Sequence, residues 1–186
     1  MVYLYIPGLG DRYDWLRRLG LSRWARKKAG VSARLVPMRW ANRGETYEEK
    51  RARVVAAIAA VDAAEEITLV GESAGGSMAL AVFHEHSDRI KQLVTVCGKN
   101  HGASTLSPHY TRTAPAFPVA VAKANAILTS LTNEQCSRIR VLYSSGDHVV
   151  GRRDSEIPGA ELTDFHIRGH FRAIAHVILS PSKLIW

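Results

Sequence analysis

Residues 66–80 place an apolar run, a Gly-x-Ser-x-Gly turn and a stretch of helix formers in direct succession: Glu66-Ile67-Thr68-Leu69-Val70, Gly71-Glu72-Ser73-Ala74-Gly75, then Gly76-Ser77-Met78-Ala79-Leu80. That order leaves few folds open. A buried strand runs into a sharp turn with the serine at its tip, and a helix starts directly behind it. Such a turn strains the serine backbone and crowds strand against helix. Side chains two residues before and two after the serine would clash there, and Gly71 and Gly75 remove both. The helix N-terminus offers free N–H groups and the positive end of its dipole, which suits a developing oxyanion. Ser73 is therefore a candidate nucleophile. The plainer alternative is a small-residue strand-to-helix turn with no chemistry.

The rest of the chain repeats the alternation. Strands are predicted at 2–6, 33–38, 66–71, 90–96, 139–145 and 161–167. Helices are predicted at 14–29 with a break at Gly20, and at 45–64, 74–87, 118–131 and 170–179. The 45–64 helix is the clearest, with Glu45 and Glu48 near its start and an alanine-rich run over 52–60. Alternating strands and helices predict an α/β three-layer sandwich, a parallel sheet covered on both faces. With 186 residues, 46% of them hydrophobic, and no repeat or interdomain linker, residues 1–186 are expected to form one domain around a substantial core. Residues 98–117 break the rhythm: Lys99-Asn100-His101-Gly102, Pro108 and Pro115 make the segment too polar and proline-rich for core. It leaves the end of the fourth strand, where binding loops gather in open α/β folds, so a site loop, a small lid and a plain connection are all open.

A nucleophilic serine needs a base, and the base needs a third group to orient it. The run 139–145 ends in Gly146-Asp147-His148, which puts Asp147 just past a strand. The run 161–167 ends in Arg168-Gly169-His170-Phe171, which puts His170 in the turn after the last strand. Serine, then aspartate, then histidine, each at the end of a strand, resembles the α/β-hydrolase family over essentially the whole chain.

The resemblance implies a catalytic triad of Ser73, Asp147 and His170. It implies a mainly parallel six-stranded sheet in the order 2-1-3-4-5-6, a minimal core lacking the family's first two strands and any large cap domain. The first strand stops at Pro7-Gly8-Leu9-Gly10. In the family this loop supplies an oxyanion-hole N–H from the residue after the glycine, here the backbone of Leu9, paired with that of Ala74. Pro7 stands where a histidine is common, a change that leaves a backbone donor intact. The implied activity is that of a serine hydrolase cleaving carboxylic esters or thioesters through an acyl-enzyme, with no organic cofactor and no metal. Acyl transfer by the same residues is one alternative. A non-catalytic binding or regulatory module on the same fold is another.

Other titratable residues fit the roles less well. Asp154 reads as a loop carboxylate, and Asp164 alternates onto a face pointing away from the site. His176 falls a turn or two into the last helix. His84 and His86 face different directions and make no metal pair, and His148 is a surface neighbour of Asp147.

The net charge of +8 is unevenly placed. Residues 12–43 hold ten basic side chains (Arg12, Arg17, Arg18, Arg23, Arg26, Lys27, Lys28, Arg34, Arg39 and Arg43) with only Asp14 opposing them. A solvated helix face, attraction to anionic lipid or nucleic acid, and steering of acidic substrates compete. The solvated face is the simplest. No nucleic-acid signature accompanies the charges, so the expected partner is a small-molecule ester; membrane-surface contact is not indicated by sequence. Cys97 and Cys136 form no disulfide framework or zinc pattern, and Cys97 ends a strand as a small buried residue. No apolar run reaches membrane-spanning length and no signal peptide is visible at the N-terminus, so a reducing, cytoplasmic setting is expected.

Overall fold

The computed structural model describes residues 1–102 and 106–179. Six strands, β1 (Val2–Ile6), β2 (Ser32–Leu35), β3 (Ile67–Glu72), β4 (Gln92–Val96), β5 (Ile139–Tyr143) and β6 (Glu161–Asp164), form one parallel sheet in the order β2-β1-β3-β4-β5-β6. The helices are α1 (Asp14–Ala25), α2 (Tyr47–Ala59), α3 (Ala74–Glu85), α4 (Pro108–Thr113), α5 (Ala116–Ile127), α6 (Asn133–Ser137), α7 (Arg152–Ser155) and α8 (His170–Leu179). The register sets Ile6 beside Gly71 and Glu72 beside Val96, so the carboxyl ends of β1, β3 and β4 finish nearly level. That edge is where crevices open in folds of this kind.

Strand alternation decides which layer each side chain joins. Val2, Leu4 and Ile6 of β1 point into a core with Val54 and Ile58 of α2, Met78 and Phe83 of α3, and Ala120 and Val121 of α5. Tyr3 and Tyr5 point the other way, into a core with Leu21 and Trp24 of α1 and Val177 of α8. Tyr3 meets Trp24 edge to face at 4.8 Å between ring centroids. Among the described residues no helix is long and apolar enough to cross a membrane.

Local sequence explains several boundaries that differ from expectation. The second helix starts at Tyr47 because Thr46 caps it: Thr46 Oγ1 accepts from Glu49 N and the Glu49 carboxylate accepts from Thr46 N. The first helix runs unbroken through Gly20. A Cβ there would stand 2.7 Å from both Cγ2 and O of Ile178, so the glycine lets α1 and α8 touch and does not break the helix. The last strand ends at Asp164, short of residue 167, because the Asp164 carboxylate accepts from His166 N and Ser145 N and closes a turn in which His166 takes a φ of 58°.

The segment 98–117 is corrected in part, while 103–105 lie outside the described residues. Its ends are built into the core. Asn100 is fully buried, Lys99 nearly so, and Ala114 after α4 with Ala116 and Phe117 at the start of α5 join the core. Asn100 N and His101 N donate to Asp154 O, and Asn100 Nδ2 donates to Ser155 O, which ties the segment to α7. Polar composition misleads here because the Asn100 and His101 N–H groups and the Asn100 amide nitrogen each have a specific acceptor.

Candidate active site

The turn between β3 and α3 holds Ser73 at φ 49° and ψ −118°, a strained conformation for a side chain with a Cβ. The glycines around it are obligatory. A Cβ on Gly71 would lie 2.7 Å from Ala79 Cβ and from Gly75 O, and one on Gly75 would run into Ile6 O. On the far side, Gly8 passes so close that its added Cβ would stand 2.7 Å from Ser73 Cβ. The loop after β1 therefore lies directly against the serine. Ser73 N donates to Val96 O at 2.9 Å and Lys99 N donates to Ser73 O at 3.0 Å, which fixes the turn from β4 and the segment behind it.

The loops after β5 and β6 bring two more groups to this point. Gly146 packs against Arg168, where a Cβ would meet Arg168 Cα at 2.8 Å, and Gly169 N donates to Gly146 O at 2.8 Å. Ser144 Oγ also donates to Ile167 O. Stitched together this way, the loops set His170, the first residue of α8 and not a free turn residue, beside Asp147. His170 Nδ1 lies 2.6 Å from Asp147 Oδ2, and His170 Nε2 lies 2.9 Å from Ser73 Oγ. Both Asp147 and His170 are buried.

The other oxygen of the carboxylate is equally occupied. Asp147 Oδ1 accepts from Val149 N at 2.8 Å and Val150 N at 2.9 Å. Burial by itself would raise this carboxyl. The hydrogen bonds from His170 and from the backbones of Val150 and Val149 outweigh it, and Asp147 is held below its usual range. An ionised acid fixed on Nδ1 leaves Nε2 as the acceptor facing the serine hydroxyl.

The sequence-named alternatives lie elsewhere. Asp154, in α7 and not in an open loop, pairs with Lys99 Nζ at 2.5 Å. Asp164 serves the turn after β6. His176 is exposed on α8, and His148 is exposed beside Asp147. Leu9 and Ala74 follow Gly8 and Ser73 directly, and neither of their N–H groups has a hydrogen-bond partner among the described residues.

Three further features build the site, the first of them not expected from sequence. The first is a buried ion pair beneath the turn. Glu72 Oε1 and Oε2 accept from Arg17 Nη2 and Nε at 2.5 and 2.7 Å, Tyr5 Oη donates to Oε2 at 2.7 Å, and Gly8 N donates to Oε1 at 3.3 Å. Arg17 Nη1 donates to Gly10 O at 3.1 Å as well. The guanidinium thus clamps the loop after β1 onto the residue preceding the serine. Burial would lower Arg17, but the hydrogen bond and charge of Glu72 win and raise it. Two signals pointed this way: a glutamate inside an apolar strand, and Arg17 sharing a helical stripe with Leu21 and Trp24.

The second feature is Cys97, fully buried with φ 46°. Burial, the Asp147 charge and a hydrogen bond to that carboxylate push its thiol well up. Cys97, Asp147 and His170 have ligand-capable atoms within 4.8 Å of one another, a spacing that could suit a metal ion. A thiol held protonated and a histidine already bonded to the aspartate do not make a ready ligand set. The third feature is Asn100 and Lys99, whose backbone meets the serine turn and whose Lys99 O accepts from Ser77 Oγ.

No protein-family model and no curated protein sequence matches the chain. Solved structures do. The chain superposes on mouse alpha/beta hydrolase domain-containing protein 10 with a TM-score of 0.68 at 15% identity, covering 99% of this chain and 89% of that one. An alpha/beta hydrolase from the sediment metagenome of the Mar Chica lagoon, MGS-MChE2, gives 0.68 at 16% identity, over 99% and 86% of the two chains. A structure from the metagenome-derived lipolytic pair LipS and LipT gives 0.67 at 14%, over 99% and 89%. Identities this low speak for a common fold and nothing finer.

Proposed function

We propose that this chain, whose fold is that of the α/β-hydrolases, is a serine hydrolase that cleaves carboxylic esters or thioesters through an acyl-enzyme. The observation that carries the reading is the unbroken row from Ser73 Oγ through His170 to Asp147, at 2.9 and 2.6 Å. His170 Nε2 takes the serine proton as Oγ attacks the carbonyl carbon. The imidazolium that forms is stabilised by Asp147, which also holds the tautomer. The carbonyl oxygen becomes an oxyanion, and the N–H groups of Leu9 and Ala74 are its donors, backed by the start of α3. His170 then passes the proton to the departing alcohol or thiol. A water, deprotonated by the same nitrogen, attacks the acyl-enzyme and frees the acid and Ser73.

Nothing in this sequence of steps calls on a metal or organic cofactor. The Arg17–Glu72 clamp keeps Leu9 in place, so the donor is set before substrate arrives. A fluorophosphonate probe tests the reading directly. It should label the wild-type chain on Ser73 and leave Ser73→Ala unlabelled; equal labelling of both would overturn it. Turnover of p-nitrophenyl acetate by the same pair gives the rate counterpart.

A further inference from the structure

Ten basic residues over 12–43 read as a solvated face in sequence, but the fold divides them: Arg17 is buried against Glu72, Arg39 pairs with Glu45, and Arg12, Arg23 and Lys27 border an apolar floor. Beside the contact between Gly20 and Ile178, α1 and α8 border an open groove of about 1190 Å³. Tyr13, Leu16 and Leu19 line one side, and Phe171, Ile174 and Leu179 the other. These are not closed over: Leu19 is 48% exposed, Phe171 73% and Leu179 79%. Arg12, Arg23 and Lys27 stand on the rim. The sole carboxylate over residues 12–43 is Asp14, which is bonded to Arg17, and α8 carries none. Leu9 and Phe171, the chain neighbours of Gly8 and His170, line one end of the groove, and the Phe171 ring meets the His170 ring edge to face at 5.6 Å between centroids.

We propose that this face docks on an anionic lipid surface. A broad exposed apolar floor whose described lining carries cations and no carboxylate matches what such a surface offers: acyl chains below and negative headgroups above. A second copy of the chain would bring the same cations together, and nucleic acid would leave the apolar floor without a partner. Phe171 and Leu179 enter the acyl boundary, with Arg12, Arg23 and Lys27 at headgroup level. Only the last step rests on the function proposed above: docking through Phe171, whose ring contacts that of His170, brings an ester of that layer close to the nucleophile.

Vesicle flotation of Ser73→Ala protein tests docking apart from turnover. Phosphatidylcholine vesicles carrying an increasing fraction of phosphatidylglycerol should bind the protein, pure phosphatidylcholine should bind it weakly, and high salt should release it. Phe171→Glu with Leu16→Glu should abolish flotation. Arg23→Glu with Lys27→Glu should lower the partition roughly tenfold or more, while Lys123→Glu, exposed on α5 in the opposite layer, should stay within about twofold. Absence of binding to anionic vesicles overturns the proposal, as does an equal loss from Lys123→Glu, which would reduce the effect to net charge. A dimer in sedimentation that Phe171→Glu dissociates, or duplex DNA binding without vesicle binding, assigns the face to another partner and overturns it too. Flotation without any serine labelling would sink the hydrolase reading alone, and labelling without flotation would sink this one alone.

Discussion

Ser73 stands between two buried acid–base pairs built from similar parts. On one side Glu72 meets Arg17, and on the other Asp147 meets His170. Each carboxylate has all its strong acceptor positions filled: Glu72 by Arg17, Tyr5 and Gly8, Asp147 by His170, Val149 and Val150. The cations differ. A guanidinium cannot give up its proton and binds through a rigid fork, so the Glu72 pair can hold a loop but move no proton. An imidazole exchanges its proton and has a second nitrogen to present to the serine. Under the proposed function, the same elementary contact is a clamp on one side and a relay on the other, and the partner's chemistry decides which.

The largest test of that contrast is on the relay side. Ser73→Ala and His170→Ala should each lower kcat/KM for p-nitrophenyl acetate by about a million-fold, as removal of a nucleophile or its base does in subtilisin. His176→Ala, exposed on the same helix, should keep most of the activity. If His176→Ala proves the more damaging, the assignment of the base is wrong.

Asp147→Asn comes next. The side chain keeps its shape, but an amide can stabilise the wrong imidazole tautomer, and a loss on the order of ten-thousand-fold is expected with the melting temperature nearly kept. A loss no greater than that of Asp154→Asn, whose carboxylate faces Lys99, would remove Asp147 from the relay.

The clamp should respond in stability before it responds in rate. Arg17→Met leaves the Glu72 charge buried without its cation, a loss of about 3–5 kcal/mol in urea unfolding. The double variant Arg17→Met, Glu72→Leu removes both charges and should recover most of it. Both should lower kcat more than they raise KM, because the loop carrying Leu9 loses its hold on the serine turn. An unchanged kcat in folded Arg17→Met would make the pair structural only.

The contrast also marks what the chain's sequence could disclose. The strand–helix alternation and the Gly71–Gly75 turn were legible from local signals, namely apolar runs, obligatory glycines and helix formers directly behind them, whereas the sheet order came only with the family resemblance. The strand ends likewise place Asp147 and His170 at the edge where they meet Ser73. The burial of Glu72 and of Arg17 each left a local signal, but their pairing was not legible, since the two are 55 residues apart and meet only once α1 has packed on the sheet. Counted by charge alone, Arg17 belonged to a solvated face. Gly20 misled in the opposite direction, because a helix-breaking residue type proved to be a point of contact with Ile178. Residues 98–101 are loop, as their composition suggests, but their burial was not legible, because it depends on Asn100 meeting Asp154 and Ser155.

The smallest effects are in pH, and the two sides should fail at opposite ends of the scale. Asp147 has its carboxyl lowered in the fold, so its contribution to stability is present above the unfolded value of about 3.9 and is lost as pH falls through the folded one. Tyr5 is the mirror case. Burial first, then the charge and hydrogen bond of Glu72, raise its hydroxyl well above the usual range. Its contribution is present below about pH 10 and declines as pH rises beyond that toward the folded value. Thermal melts across pH should therefore show an acid-side decline that is shallower in Asp147→Asn and an alkaline-side decline that is shallower in Tyr5→Phe. Glu45, lowered to about 2, and Tyr47, raised to about 12, add to the two limbs in the wild type and in both variants alike, so the difference curves isolate the site groups. If Tyr5→Phe flattens the acid limb, or Asp147→Asn the alkaline one, the two pairs are coupled through the serine turn and do not act as separate devices.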